Sequence, residues 1–198
     1  LLGVFFLAGH ETSASALTWA FYILAVRPEI RDRVRAEVLE QIGTGPILME
    51  DVRKLAYVRS FFKEVLRLYP PITFMPRVAE QSVQLGARKL RRGALVMIAP
   101  WTLHRHEKYW PDPDRFDAER FLGDRERDIT PGSYIPFGQG PHTCVGAGFA
   151  TLEAALIIAS LVRDYDFHVV GEQSVRPVAR LTTRPAQEIS VIAERHTG

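Results

Sequence analysis

The sequence predicts a mostly helical α+β chain with small β-sheets. Two observations carry that expectation. Apolar residues recur at helical spacing near both ends, while strand-like runs are short and bounded by glycine. The order is helices, strands, a long irregular stretch, a helix and closing strands, unlike the strand–helix alternation of a parallel sheet. At 198 residues, 46% hydrophobic and 24% charged, the chain has the composition of one globular domain, or of one and part of another. Disorder, collagen-like repeats and coiled coil are excluded. A net charge of +2, without a basic run interleaved with aromatics, gives no nucleic-acid partner. The single cysteine, Cys144, excludes a disulfide framework and any multi-cysteine zinc or iron–sulfur site. The chain begins at Leu1 rather than Met, so a piece of a longer polypeptide is expected.

Leu1 to Val26 is long and apolar, yet His10, Glu11, Thr12, Ser13 and Ser15 interrupt it. An ionised residue at the centre of a membrane span costs about 2.5–3.5 kcal/mol on insertion scales. A signal peptide lacks support too, since no basic leader precedes the segment and the apolar pattern resumes at Leu17. A long buried helix with a polar interruption is the expectation. Arg27-Pro28-Glu29 restarts a helix, with proline in its first turn and an acid at its positive end. Ile30, Val34 and Val38 make its apolar stripe, with Arg31, Arg33 and Arg35 outside it, and Gly43-Thr44-Gly45-Pro46 ends it.

A third helix is expected over about Met49–Tyr69, with a break near Leu55. Pro70-Pro71 stop it. Strands are expected at Gln81–Leu85 and Leu95–Ile98 around turns at Gly86 and Gly93. Ala99 to Pro141 is irregular and rich in proline, glycine and aspartate, and such segments are usually functional. A last helix over about Val145–Val162 and strands near Phe167–Val170 and Glu188–Ala193 close the chain.

The loop Pro136-Phe137-Gly138-Gln139-Gly140-Pro141-His142-Thr143-Cys144-Val145-Gly146-Ala147-Gly148 concentrates several physical demands. Gly138 and Gly140 allow backbone conformations closed to other residues. Cys144 falls at a helix N-terminus, which favours a thiolate. Gly146 and Gly148 leave room for a flat group to press close. A lone cysteine is ordinarily a buried inert thiol, but an inert thiol needs none of these glycines.

Phe137-x-x-Gly140-x-His142-x-Cys144-x-Gly146 resembles the haem-binding loop of the cytochrome P-450 family. The resemblance implies haem b held by the Cys144 thiolate as axial iron ligand, with Phe137 beside the sulfur. His142 stands where the family usually has arginine and would meet a haem propionate, more weakly than an arginine would. Gly138, Gly140 and Gly146 would border the cofactor.

Three other constellations extend the resemblance. Glu64 and Arg67 share a helix face; read alone they are a surface ion pair worth a few tenths of a kcal/mol. They match the family's Glu-x-x-Arg motif, with Arg120 of Ala118-Glu119-Arg120-Phe121 as third member, although the family typically has proline where Ala118 stands. The implied role is structural, a buried network in which a stranded charge costs about 3–5 kcal/mol. Ala8-Gly9-His10-Glu11-Thr12, read alone, is a helix tolerating a kink, with Thr12 able to bond the Ala8 carbonyl. It resembles the family's oxygen-binding segment, which implies that Ala8 and Gly9 border the haem, that Thr12 donates a hydrogen bond to bound oxygen, and that Glu11 belongs to the proton route. Arg77, read alone, is a solvated arginine; by resemblance it contacts a propionate, and His104 and Arg105 offer a second such contact.

The resemblance runs from Leu1 to about Arg195 and covers the C-terminal half of the family's single domain, here residues 1–198. It implies a haem-thiolate monooxygenase that inserts one atom of dioxygen into a lipophilic substrate, with electrons from an external ferredoxin or flavin reductase. Phe5, Phe6, Ala8, Ile72, Thr73, Phe74, Leu181 and Thr182 would face the substrate. A haem-thiolate peroxygenase or isomerase, and a non-catalytic haem-binding fragment, are the rival readings. Arginine-rich composition points to a soluble, cytoplasmic enzyme of bacterial type, with a membrane anchor in the other half left open.

Overall fold

The computed structural model describes residues 2–171 and 174–197. Helix α1 spans Leu2–Val26 without a break. The Thr12 hydroxyl returns to the Ala8 carbonyl at 2.6 Å and Thr18 to Ala14 at 2.8 Å, so the polar interruption is absorbed inside the helix. The expected burial holds only for its second half, where Ala16, Trp19, Ala20, Ile23 and Leu24 enter the core. Val4, Phe5, Phe6 and Leu7 are exposed. Among the described residues no helix is long and apolar enough to cross a membrane.

Helix α2, Pro28–Gln41, opens on its proline and buries Ile30, Val34 and Val38. Arg31 and Arg35, placed outside the stripe by the sequence reading, are buried as well. The reason lies in a distant strand. Asp166 accepts Arg35 at 2.7 Å and pairs with Arg31 at 3.1 Å, and Arg35 also donates to the Val162 and Tyr165 carbonyls at 2.9 and 2.8 Å. Helix α3, Ala56–Leu68, follows a 3-10 turn over Met49–Lys54, so the break near Leu55 is present. Its N-terminus is capped from α2, the Tyr57 and Val58 amides donating to the Glu37 carboxylate at 2.7 and 2.9 Å.

Strand β1, Met75–Val78, pairs antiparallel with β4, Leu95–Ile98, and encloses the hairpin of β2, Val83–Leu85, and β3, Arg88–Leu90. Two nested ladders thus surround the turns at Gly86 and Gly93. The irregular stretch carries the short helices α4, Pro100–Leu103, and α5, Gly123–Arg127. Helix α6, Ala147–Asp164, leads into β5, Tyr165–Val170, which pairs with the last strand, β8, Ser190–Arg195. Between them β6, Pro177–Ala179, and β7, Thr183–Pro185, form a tight hairpin.

The core is the second half of α1 packed with α2, α3 and α6. Trp19 is fully buried and stacks on Tyr69 with ring centroids 4.1 Å apart. This bundle holds α1 and the N-terminus of α6 on either side of one cleft.

Candidate active site

The cleft is a cavity of about 560 Å³, walled on one side by Phe5, Ala8, Gly9, Thr12 and Ala16 of α1. Phe137, Gly138, His142, Cys144 and Gly146 form the facing wall, and Leu66 and Ile72 contribute between them. The loop before α6 is shaped by its own backbone. Cys144 N–H donates to the Phe137 carbonyl at 2.9 Å and Thr143 N–H to Gly140 at 3.0 Å. Gly138 and Gly140 have φ of +75° and +76°, the left-handed region that disfavours side chains. A Cβ at Gly138 would lie 3.5 Å from both the His142 carbonyl and the Met75 sulfur. Helix α6 starts at Ala147, later than expected, and Cys144 sits exposed just ahead of its first turn.

Behind this cleft lies a buried charge network. Arg67 grips Glu64 with two bonds, Nε–Oε2 at 2.7 Å and Nη2–Oε1 at 2.8 Å, both side chains fully buried. Asp117 N–H donates to Glu64 at 2.9 Å, and Arg120 approaches the same oxygen at 3.4 Å. Burial pushes the Glu64 carboxyl upward, against the pull of Arg67, the Asp117 amide and Arg120. The remaining Arg67 donors hold the irregular stretch, reaching the His104 and Pro113 carbonyls at 2.8 and 2.7 Å. Arg120 bonds the Asp112 carbonyl at 2.9 Å, in the one described non-glycine residue with positive φ, +47°. The pair is thus an internal brace and not a surface contact.

A sequence profile of cytochrome P450 matches residues 1–193. The chain belongs to the cytochrome P450 family. It is 38% identical over 187 residues to cyclooctatin synthase of Streptomyces melanosporofaciens, matching 94% of this chain and 39% of that one. It is 40% identical over 157 residues to cyclooctat-9-en-7-ol 5-monooxygenase of the same organism, matching 79% of this chain and 34% of that one. A crystal structure of a cytochrome P450 superposes with a TM-score of 0.90 at 27% identity, over 98% of this chain and 44% of that one. The chain therefore spans between a third and two fifths of the curated relatives named here.

Membership of the P450 family implies a haem cofactor, and the residues present fit one. A thiol stands at the wall of an apolar cleft, and Ala8, Gly9, Gly138 and Gly146 keep side-chain bulk out of the space between the walls. A flat, largely apolar group with a metal seeking a sulfur ligand matches that donor set.

Of the residues expected from sequence, Phe5, Ala8, Gly9, Thr12, Ile72, Phe137, Gly138, His142, Cys144 and Gly146 line the cleft. The others lie off its wall. Arg77 is on β1 two residues beyond the lining residue Met75, so it shares that face, and its guanidinium donates to the Pro76 carbonyl at 2.9 Å. Gly140 shapes the loop from outside. Thr73 accepts the Trp101 amide at 3.3 Å, and Phe74 and Leu181 are exposed. Thr182 is buried and donates to Glu11 instead of facing the cleft. Glu11 itself points away from the cleft, into an ion pair with Arg184 at 2.6 Å. That arginine and Thr182 hold its carboxyl below the usual range.

His104 and Arg105 require a correction. His104 is fully buried, with Nδ1 3.3 Å from the Arg67 carbonyl and Nε2 accepting the Ile135 amide at 2.9 Å. Burial lowers its pKa to about 4, so the ring is neutral and braces the stretch before the cysteine loop. The Arg105 guanidinium lies 3.6 Å from the Trp101 ring centroid and bonds the Leu68 carbonyl. Its pKa falls to about 10, from burial and then from Arg67. Sequence reasoning missed Ser13, Ala16 and Leu66 as cleft residues. The signal was there, because Ser13 and Ala16 continue the helix face of Gly9 and Thr12.

Proposed function

We propose that this chain forms the thiolate and oxygen-binding walls of a haem-dependent monooxygenase acting on a lipophilic substrate. The observation that carries the reading is the pairing of the chain's sole thiol with the Thr12 face of α1 across one apolar cleft. Cys144 would hold the haem iron as thiolate, favoured by the positive end of α6. Gly138 and Gly146 would let the ring approach, and His142, with Arg77 at the edge, would meet its propionates. Haem, when bound, supplies the activation of dioxygen.

The chain's own residues supply orientation and protons. The Thr12 hydroxyl, now bonded to the Ala8 carbonyl at 2.6 Å, lies on the cleft wall where it can turn to donate to an oxygen-bearing ligand. Glu11, one residue earlier, would bring protons from solvent. Phe5 and Ile72 give the cleft an apolar lining suited to a lipophilic substrate. Electrons would come from a ferredoxin or flavin reductase.

In the haem-loaded protein, Cys144→Ala should abolish the thiolate-type spectrum of the reduced carbon monoxide complex. Thr12→Ala should keep that spectrum and divert reducing equivalents to hydrogen peroxide, read as product formed per reductant consumed. A nitrogen-type spectrum in the unmodified protein would overturn the assignment of Cys144. Unchanged coupling in Thr12→Ala would overturn that of Thr12.

A further inference from the structure

Helix α1 separates two cavities, one apolar and one of mixed, more polar lining. The apolar cleft takes Thr12 on its wall, and Glu11 is absent from it. The second cavity, about 490 Å³, lies between α1 and the β6–β7 hairpin and takes Glu11, Ser15, Thr18, Arg180, Arg184 and Gln187. Consecutive residues of one helix thus face different solvents, because successive side chains diverge by about 100° around the axis.

The hairpin holds Glu11 in that orientation. Arg184 donates to Glu11 Oε1 through Nε at 2.9 Å, and its Nη2 stands 2.6 Å from each carboxylate oxygen. The buried Thr182 hydroxyl donates to Oε1 at 2.8 Å. Thr183, between them, is locked in place. Its amide donates to the Pro71 carbonyl at 3.0 Å and its hydroxyl to Pro70, while its own carbonyl accepts Ser15 at 2.7 Å and Trp19 at 2.8 Å. These bonds tie the hairpin to α1 and to the end of α3, so Thr182 and Arg184 are presented to Glu11 at fixed geometry.

Magnitudes decide what this contact does. The Arg184 side chain is 51% exposed, and an ion pair at such a site adds little to stability. A forked, multiply bonded arginine–carboxylate contact does fix direction. Leaving a carboxylate turned into the apolar cleft would carry a desolvation penalty that the polar cavity avoids.

We propose that Arg184, seated by Thr182 and Thr183, is a positioning residue that aims the Glu11 carboxylate into the polar cavity, making that cavity the solvent inlet for protons. This rests on the reading of Glu11 as part of the proton route. In each passage the carboxylate takes one proton from water in the polar cavity and releases one toward the Thr12 side, returning to its ionised form. Arg184 touches neither substrate nor cofactor, and it acts only through Glu11.

The test uses the haem-loaded protein with its reductant. Arg184→Leu should slow dioxygen-driven turnover at least about tenfold, a small part of the 10²–10⁴ that general acid–base catalysis supplies. The solvent deuterium isotope effect should rise, and the thiolate-type carbon monoxide spectrum should stay. Arg184→Lys should restore part of the rate, and Thr182→Val, a change to a buried hydroxyl, should move rate and isotope effect in the same direction by less. The Arg184→Leu and Glu11→Gln losses should not add when combined. Additive losses, or an unaltered isotope effect in Arg184→Leu while Glu11→Gln slows turnover, would overturn the proposal alone. An unaltered Glu11→Gln enzyme would overturn the reading beneath it as well.

Discussion

The brace around Glu64 and the loop around Cys144 lie close together and are built on opposite plans. In the brace the Glu64–Arg67 pair is answered by the chain itself. Two fully buried ions meet through paired bonds, and their spare donors reach backbone carbonyls. In the cysteine loop the backbone is satisfied, while the thiol, His142 and the neighbouring Val145 and Phe149 are exposed. One region spends its polar groups on holding shape. The other leaves its thiol and imidazole exposed, and its shape comes from glycine geometry.

The contrast is broken most directly at its buried end. Glu64→Ala leaves two arginines without their carboxylate and should cost about 3–5 kcal/mol, measured by urea unfolding. Acid should act on the same region through His104. An unfolded imidazole takes up its proton near pH 6.5, whereas the folded ring resists until about 4. The stability that His104 contributes is therefore complete above pH 6.5 and is lost as pH falls toward 4. The loss amounts to roughly 3 kcal/mol at 1.36 kcal/mol per pH unit. A His104→Asn variant should lose that slope, seen as a smaller difference from the unmodified protein at pH 4 than at pH 7. In the loop the expected effects are smaller. Gly138→Ala forces a side chain onto a backbone at φ +75° and should cost about 1–2 kcal/mol by thermal unfolding. Cys144→Ser should change unfolding free energy by less than about 0.5 kcal/mol while removing the only thiol. A larger loss would show that the sulfur also packs against its surroundings.

The two regions were also unequally legible in sequence. Glu64 and Arg67 are three apart, so one helical turn reports their meeting, and the glycines around Cys144 mark the loop without any tertiary information. The role of His104 is not legible in sequence because its partners, Ile135 and the Arg67 backbone, are set by the path of the irregular stretch. Arg31 and Arg35 looked like surface residues because Asp166 stands on a strand after α6. The direction of Glu11 was hidden for the same reason, its partners being in the closing hairpin. The split of the first helix into an exposed and a core half was hidden too, since apolar residues continue through both.

The capping of α3 by Glu37 bears on how the brace is assembled. The first turn of α3 borrows its acceptors from a side chain twenty residues earlier, on α2. Those amides are answered only when the two helices lie side by side, so completion of the first turn is coupled to tertiary docking. The first turn of the helix that carries Glu64 and Arg67 is thus completed only in the docked arrangement, so any loosening of α2 from α3 also loosens the mount of the charge pair behind the cleft.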